Sequence, residues 1–595
     1  MIHVILQNVV FPKYGVCSVH DLYFRLDNHA NYSFSNQSIN LNDGENAYFD
    51  TYFNGFYLNK WKKYTNVGEI LLTLKLKGKF RITLLHKERF VNRECKNTIL
   101  GGMEFSSETE KSVTLSFGDF TFGMFAFELL SLRDNSVIYG GYYSSDVLPN
   151  LINDIKIGLC ICTFKRERYV ISNINHVLKS FLENKDSVLF NRLEVFISDN
   201  DGTLNPQVFE NPAVHIFNNK NVGGAGGFTR CLIEVQKNNS GITHTILMDD
   251  DIIFDTESIF RTFTLLSTLK EEYEDAFIGG AMLSLDRQNI QVESGARWNK
   301  GDVISLKSGL NLIFCESCLY NDIEETTDYN AWWYCATPIK KVNENGLPLP
   351  LFFRGDDAEY GLRNIKNIIL MNGICVWHEP FENKYSSTTF YYIFRNRLIN
   401  NSVHGIDYGK KQLIKDFLKQ WNSEMTRFRY KNANLLVKGV EDFLKGIDWF
   451  RSVDGEDLHK EIISLGYRLD PVSEINVGFL YSEFDRLLHS DARPIDWKLN
   501  LLLPAKRNAT IQTYNPPDQL FNRAKVIVNY DYPSGKAFVT SKNFRLALGE
   551  LKKALVLIKR IDKDYDNIKA QYENRGNEIM TLSFWNDYLG LKEQQ

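Results

Sequence analysis

Between Leu71 and Leu84 the chain alternates: Leu72, Leu74, Leu76, Phe80, Ile82 and Leu84 interleave with Thr73, Lys75, Lys77, Lys79, Arg81 and Thr83. A period of two places each set on one face of a pleated strand, so the run predicts half-buried β-structure. A second alternating block, SVTLSFGDFTFGMFAFEL, begins at Ser112. Little before Asp154 has helical spacing, and residues 1–150 therefore read as an N-terminal β-sandwich domain. Its aromatic cluster TYFNGFY, Thr51 to Tyr57, fits either a buried core or a carbohydrate-stacking face.

At Ile155 the texture changes. The runs KIGLCICTF, LEVFISDNDG, VHIFNNKNVGGAGG and HTILMDDDI alternate with helical stretches, and each apolar run ends in polar residues. Buried strands alternating with helices predict an α/β domain with an open, mostly parallel sheet over residues 151–400. Ligands of such sheets bind at the carboxyl ends of the strands, where the chemically suggestive residues of this chain fall. Beyond Asn401, Leu413, Ile414, Phe417, Leu418 and Trp421 follow helical spacing. Residues 401–595 are predicted to form a mainly α-helical C-terminal domain with a polar, turn-rich interruption near Leu503 to Ser534.

The chain has 595 residues, enough for several domains with cores of their own. Its net charge of -4 gives no basic footprint, which argues against a dedicated nucleic-acid binder. Nine scattered cysteines, an odd number, fit a reduced compartment. Cys315 and Cys318 form a lone CxxC without a second pair, which fits packing thiols better than a zinc or redox site. The opening MIHVILQNVVFPKYG lacks the pattern of a secretory signal, and no apolar run reaches bilayer length. A cytoplasmic protein, soluble or peripheral at the membrane, is expected.

Three clusters could carry chemistry. Asp249, Asp250 and Asp251 follow the apolar run ending at Met248; carboxylates crowded so closely repel, and a divalent Mg²⁺ or Mn²⁺ bridging a diphosphate would relieve that. The alternative is a solvated acidic turn; Asp249 and Asp251 are the ligands expected. Gly223, Gly224, Gly226 and Gly227 lie between a strand and a helix, where bare backbone N–H groups approach phosphates or simply allow a tight turn. In FFRGDDAEYG, Asp356 and Glu359 have capping-box spacing. That leaves Asp357 in the first helical turn, as an ionised carboxylate able to act as general base on a sugar hydroxyl. His378, at another strand end, fits a metal ligand or a hydrogen-bonded core residue. Trp332 and Trp333 fit packing or a sugar platform.

Taken in order, CTFKR, SDNDG, NVGGAGGF, MDDD, WWY, DDAEYG and WHEPF resemble the family 2 inverting glycosyltransferases of GT-A fold. Within that group the series is most similar to the galactofuranosyltransferases that polymerise cell-envelope galactan. The similarity covers Ile155 to Asn396, and TYFNGF also looks like their N-terminal sandwich. The resemblance implies that Thr163 and Arg166 hold the nucleotide and its diphosphate, that Asp199 and Asn221 contact uridine, and that Asp249, Asp251 and His378 hold the metal. It further implies Asp357 as base, with Trp332, Trp333, Glu293 and Asp356 lining the acceptor and donor-sugar pocket. Gly223, Gly224, Asp250 and Glu359 belong to the same motifs and are expected at the substrate. Lys165 stands where relatives commonly carry a polar amide.

The implied reaction is inverting transfer from UDP-galactofuranose to a growing glycan, lipid-linked at the inner face of the cytoplasmic membrane, with peripheral membrane contact and homo-oligomers both open to the chain. Two alternatives remain. One is the same chemistry with another UDP-hexose; the other is a carbohydrate-binding scaffold that uses the Tyr52 to Tyr57 aromatics and the Trp332 and Trp333 indole pair, with a degenerate transferase core.

Overall fold

A computed structural model describes residues 1–28, 31–89, 95–238, 240–475 and 499–591. The first alternating run is the strand Leu71–Arg89, with Leu72, Leu74, Leu76, Phe80 and Ile82 fully buried. It pairs antiparallel with Cys95–Ser116, Met124–Ser131 and Ser136–Val147. The alternating block from Ser112 is divided between two strands. Gly118 and Gly123, with φ of 83° and 86°, turn the chain between Ser116 and Met124. The ten N-terminal strands form one hydrogen-bonded antiparallel network. The aromatics at issue are core: Tyr52, Phe53, Phe56 and Tyr57 are buried, Phe53 stacked on Tyr23 at 4.4 Å and Phe56 on Trp61 at 5.7 Å.

The central α/β sheet has eight strands. Ile157–Thr163 lies parallel between Leu193–Asp199 and His244–Asp249, and Val214–Asn218 adds outside Leu193–Asp199, also parallel. The other half of the sheet is mixed. Cys335–Pro338 runs antiparallel between His244–Asp249 and Phe277–Ser284, and Ile368–His378 lies parallel to the latter. Four residues embedded in the apolar run after Trp333 carry no period that could reveal a reversal of direction. The expected boundary at residue 400 falls inside a helix, Thr388–Val403.

The helical reading of the C-terminal part is right for Lys410–Thr426, Tyr430–Phe443, Gly455–Leu465 and the 32-residue Phe544–Arg575. It needs one correction. The expected interruption contains strands, Arg507–Gln512 and Ala524–Asp531, which with Lys536–Ser541 and Asp470–Pro471 make a four-stranded sheet. The run Val526 to Val528 is apolar throughout and the polar Asn529 after it is buried, so no alternation marks the strand in the sequence.

Apolar packing ignores the expected domain limits. One buried cluster runs from Leu6 to Trp377 and a second from Cys160 to Leu589, so the central sheet is packed from both ends of the chain.

Candidate active site

Three strands of the central sheet deliver polar residues at their carboxyl ends: Thr163, Asp199 and Asp249. Ile368–His378 delivers His378. The Nε2 of His378 lies 3.3 Å from Asp251 Oδ1, and Asp249, Asp251 and His378 each offer one ligand atom within 4.8 Å of the others. His378 Nδ1 is buried without a hydrogen-bond partner among the described residues. Two carboxylates and an imidazole suit a divalent cation, and an imidazole nitrogen held beside a carboxylate is placed for one. The residues fit a metal.

Burial separates the triplet electrostatically. Burial, with Asp250 and Asp251 as near neighbours, pushes Asp249 up to about 7. For Asp251 burial also acts upward, but the His378 hydrogen bond, Lys384 and Arg166 outweigh it and hold the group well below the usual carboxylate range. Asp250 is raised by burial and partly restored by Arg166. Its carboxylate accepts from Thr163 Oγ1 at 2.8 Å and Arg166 Nη1 at 3.0 Å, while Asn173 Nδ2 donates to its backbone oxygen at 3.2 Å. Asp250 thus aims Arg166, whose Nη1 also lies 2.8 Å from Asp251.

At the end of Leu193–Asp199, the Asp199 carboxylate is engaged by its own loop. It accepts from the N–H groups of Asp201, Gly202 and Leu204 at 3.1, 3.0 and 2.7 Å. Asn221 Oδ1 accepts from Gly223 N at 3.2 Å, and Asn200 Nδ2 donates to Gly223 O at 3.1 Å. Asn200 and Asn219, joined at 2.9 Å, went unnoticed in the sequence because a lone Asn carries no spacing signal. Lys165 adopts φ of 57°, a left-handed conformation that Asn takes more readily. A polar amide is therefore the easier residue there, and nothing in the structure explains the lysine.

The glycines fit their helix, Gly223–Lys237, against its neighbours. A Cβ on Gly223 would run into the Phe352 carbonyl oxygen, and one on Gly227 into Cys162 Sγ. Gly224 lies beside Asp356, whose Oδ2 would be 3.7 Å from a Cβ there.

The loop Phe352 to Gly355 leads into the helix Asp356–Asn364. Phe352 and Arg354 hold left-handed φ values of 75° and 70°, a local cost that clusters at functional sites. Gly355, with φ of 87°, is the N-cap, so the expected capping box does not form. Glu359, expected at the substrate, is fully buried and pairs with Arg363 at 3.0 Å and with His404 at 3.4 Å. Its i, i+4 arginine outcompetes a reach back to the cap. Asp356 is raised well above the usual range by burial and by Asp357. Asp357 Oδ1 accepts from Ala358 N at 2.7 Å, and burial pushes the group up to about 6 against the pull of that N–H and of Arg354.

Phe381 bridges the two halves, its ring centroid 5.8 Å from His378, 6.4 Å from Trp333 and 5.6 Å from the Arg354 guanidinium. Trp333 donates to Gly280 O at 2.9 Å, whereas Trp332 packs edge-on against Phe228 and Tyr360. Glu293 accepts from Ser305 Oγ, keeps its other oxygen buried without a hydrogen-bond partner among the described residues, and is pushed by burial up to about 7. Cys315 and Cys318 are buried packing thiols.

Residues 6–145 match the family model of the galactofuranosyltransferase 2 N-terminal region. The galactofuranosyltransferase GlfT2 of Mycolicibacterium smegmatis is 24% identical over 471 residues, 74% of this chain and 71% of that protein. GlfT2 of Mycobacterium tuberculosis is 25% identical over 443 residues, 70% of this chain and 68% of that protein. Among solved structures, a mannosyltransferase from Pyrobaculum calidifontis in complex with GDP-Man and Mn²⁺ superposes with a TM-score of 0.28 at 11% identity, over 54% of this chain and 83% of that one. That overlap is too slight to bear on fold or function. With two relatives aligned along most of its length and an N-terminal region of the same kind, the chain is a glycosyltransferase related to the galactofuranosyltransferases.

Proposed function

We propose that the chain transfers galactofuranose from UDP-galactofuranose to a growing cell-envelope glycan, in one displacement that inverts the anomeric centre. The observation that carries this reading is the meeting of Asp249 and Asp251 with His378, which lies more than a hundred residues further along the chain, within 4.8 Å at the ligand end of the sheet.

Asp357 is the general base. With Oδ1 engaged by Ala358 N–H, Oδ2 takes the proton from the acceptor hydroxyl as that oxygen attacks the anomeric carbon. The sugar–phosphate bond breaks, and the electron pair leaves with UDP. Arg166, aimed by Asp250, faces the charge growing on the diphosphate. A Mn²⁺ or Mg²⁺ ion held by Asp249, Asp251 and His378 would supply further charge for that leaving group. Thr163, Asp199 and Asn221 shape the nucleotide side, Asp199 and Asn221 by ordering the loops that receive uridine. Gly223 and Gly224 set the approach of the helix N-terminus. Glu293, Asp356 and Trp333 bound the sugar side, and Trp332 supports it from the core.

The acceptor is a lipid-linked glycan met at the inner face of the cytoplasmic membrane, with peripheral contact and self-association as further partners. Among the described residues no helix is long and apolar enough to cross a membrane. A different UDP-hexose donor remains the second reading of the same machinery, since related folds share chemistry more closely than specificity. The burial of the Tyr52 to Tyr57 aromatics and of Trp332 and Trp333 speaks against the scaffold reading, which would need those rings exposed to a glycan.

Asp357→Asn is expected to lower kcat by about 10²–10⁴-fold, the usual range for a lost general base, while UDP affinity holds. Mass spectrometry of products from UDP-galactofuranose and a short synthetic acceptor reads the outcome. Wild-type turnover in the variant would remove Asp357 from the mechanism, and preference for a pyranose donor would shift the substrate.

A further inference from the structure

The ligand face of the Asp249, Asp251 and His378 cluster already faces an ammonium group. Lys384 follows the short turn Phe381–Asn383, which Asn383 ties to Asp286 Oδ2 at 2.8 Å. Its Nζ lies 2.6 Å from Asp251 Oδ2 and 3.3 Å from His378 Nε2. The next carboxylate, Glu379, is 3.9 Å away.

Those contacts use the atoms a metal needs. An imidazole nitrogen has one lone pair, so His378 Nε2 cannot accept a lysine N–H, or carry its own proton toward Asp251, and also coordinate a cation. Asp251 Oδ2 is shared by Lys384 and Arg166. The two cations are not equivalent. Arg166 has a second anchor in Asp250 at 3.0 Å, whereas among the described residues the short contacts of Lys384 are to Asp251 and His378. Lysine also has a flexible four-carbon stem and a point charge that can relocate by several ångströms without moving backbone.

We propose that Lys384 is an exchangeable counter-ion: it holds Asp251 and His378 in the cation-free protein, yields them when a divalent cation enters, and moves to the diphosphate of the donor. Lys384 is a positioning residue in this scheme, and the scheme rests on the metal reading given above. Its consequence is coupling. Metal and nucleotide favour each other because the nucleotide gives the displaced ammonium a new anionic partner.

The test uses the full-length protein without nucleotide, titrated with Mn²⁺ and followed by the electron paramagnetic resonance of free Mn²⁺. Lys384→Met is expected to bind Mn²⁺ about tenfold tighter than wild type, because removing the cation removes a competitor. Lys384→Arg, which keeps the charge, should stay near wild type, and matching thermal melts of all three proteins exclude misfolding as the cause. In Mn²⁺-saturated protein, Lys384→Met should bind UDP about tenfold more weakly, as expected for a lost charge-assisted contact. Equal or weaker Mn²⁺ binding by Lys384→Met overturns the exchange, and unchanged UDP affinity overturns the move to the diphosphate. If neither wild type nor Lys384→Met takes up Mn²⁺, with or without UDP, the metal reading falls and the exchange with it.

Discussion

Asp249 ends a strand of the central sheet and Asp357 lies in the first turn of the helix Asp356–Asn364, and burial acts on the two in company with different neighbours. Asp357 has backbone N–H groups and Arg354 nearby, and reaches about 6; Asp249 faces two other carboxylates and reaches about 7. A base must be ionised to accept a proton, so activity resting on Asp357 is present above its pKa and lost as pH falls through about 6. At saturating metal, kcat/KM plotted against pH should show its acid limb near 6, about two units above an ordinary exposed aspartate. A limb near 4 would place the base elsewhere. The proposed metal site should respond to pH differently. Protons compete with the cation for Asp249, so Mn²⁺ affinity should fall as pH drops below about 7, which calorimetry at several pH values measures directly.

Between elements, the meeting of the glycine turn with the strained loop before Asp356 sets the geometry of the site. Ala225 N donates to Phe352 O at 3.1 Å, the same carbonyl that a Cβ on Gly223 would strike. Gly223 also has φ of 75°. Gly223→Ala therefore costs strain and pushes the Phe352 to Gly355 loop away, carrying Asp356 and Asp357 with it. Backbone strain of this kind costs about 1–3 kcal/mol. The expected result is a kcat/KM lower by tenfold or more with the far-ultraviolet circular dichroism unchanged. Gly241→Ala, at an open position with the same sign of φ, serves as the control for strain alone.

For the molecule as a whole, the N-terminal strands and the central sheet are joined by a buried ion pair. Arg261, fully enclosed, pairs with Glu257 at 2.9 Å and donates to Phe53 O at 2.7 Å, while Glu257 accepts from Asn8 N and Asn8 Nδ2, both at 2.8 Å. Removing one partner of a buried pair leaves the other charge uncompensated. Arg261→Met should destabilise the protein by about 3–5 kcal/mol, read as a lower urea midpoint. Because one apolar cluster spans both regions, N-terminal and central probes should unfold together.

Patterns with a period, and residues at the ends of those patterns, were legible in the sequence. Leu72 to Leu84, the runs ending at Thr163 and Asp249, and the helix around Phe417 are local statements, because side-chain direction follows the backbone repeat. The resemblance added the order of the motifs. What neither could supply is pairing between distant segments. Which carboxylate goes to a cap, a guanidinium or a cation depends on neighbours brought from elsewhere: Glu359 went to Arg363 and His404, Asp250 to Thr163 and Arg166. The position of Lys384 on Asp251, the reversal at Cys335–Pro338 and the C-terminal sheet are likewise decisions of tertiary structure. The physical reason is one of range: periodicity is set by neighbouring dihedrals, whereas charge pairing and strand order are settled only when the chain has closed on itself and water has left.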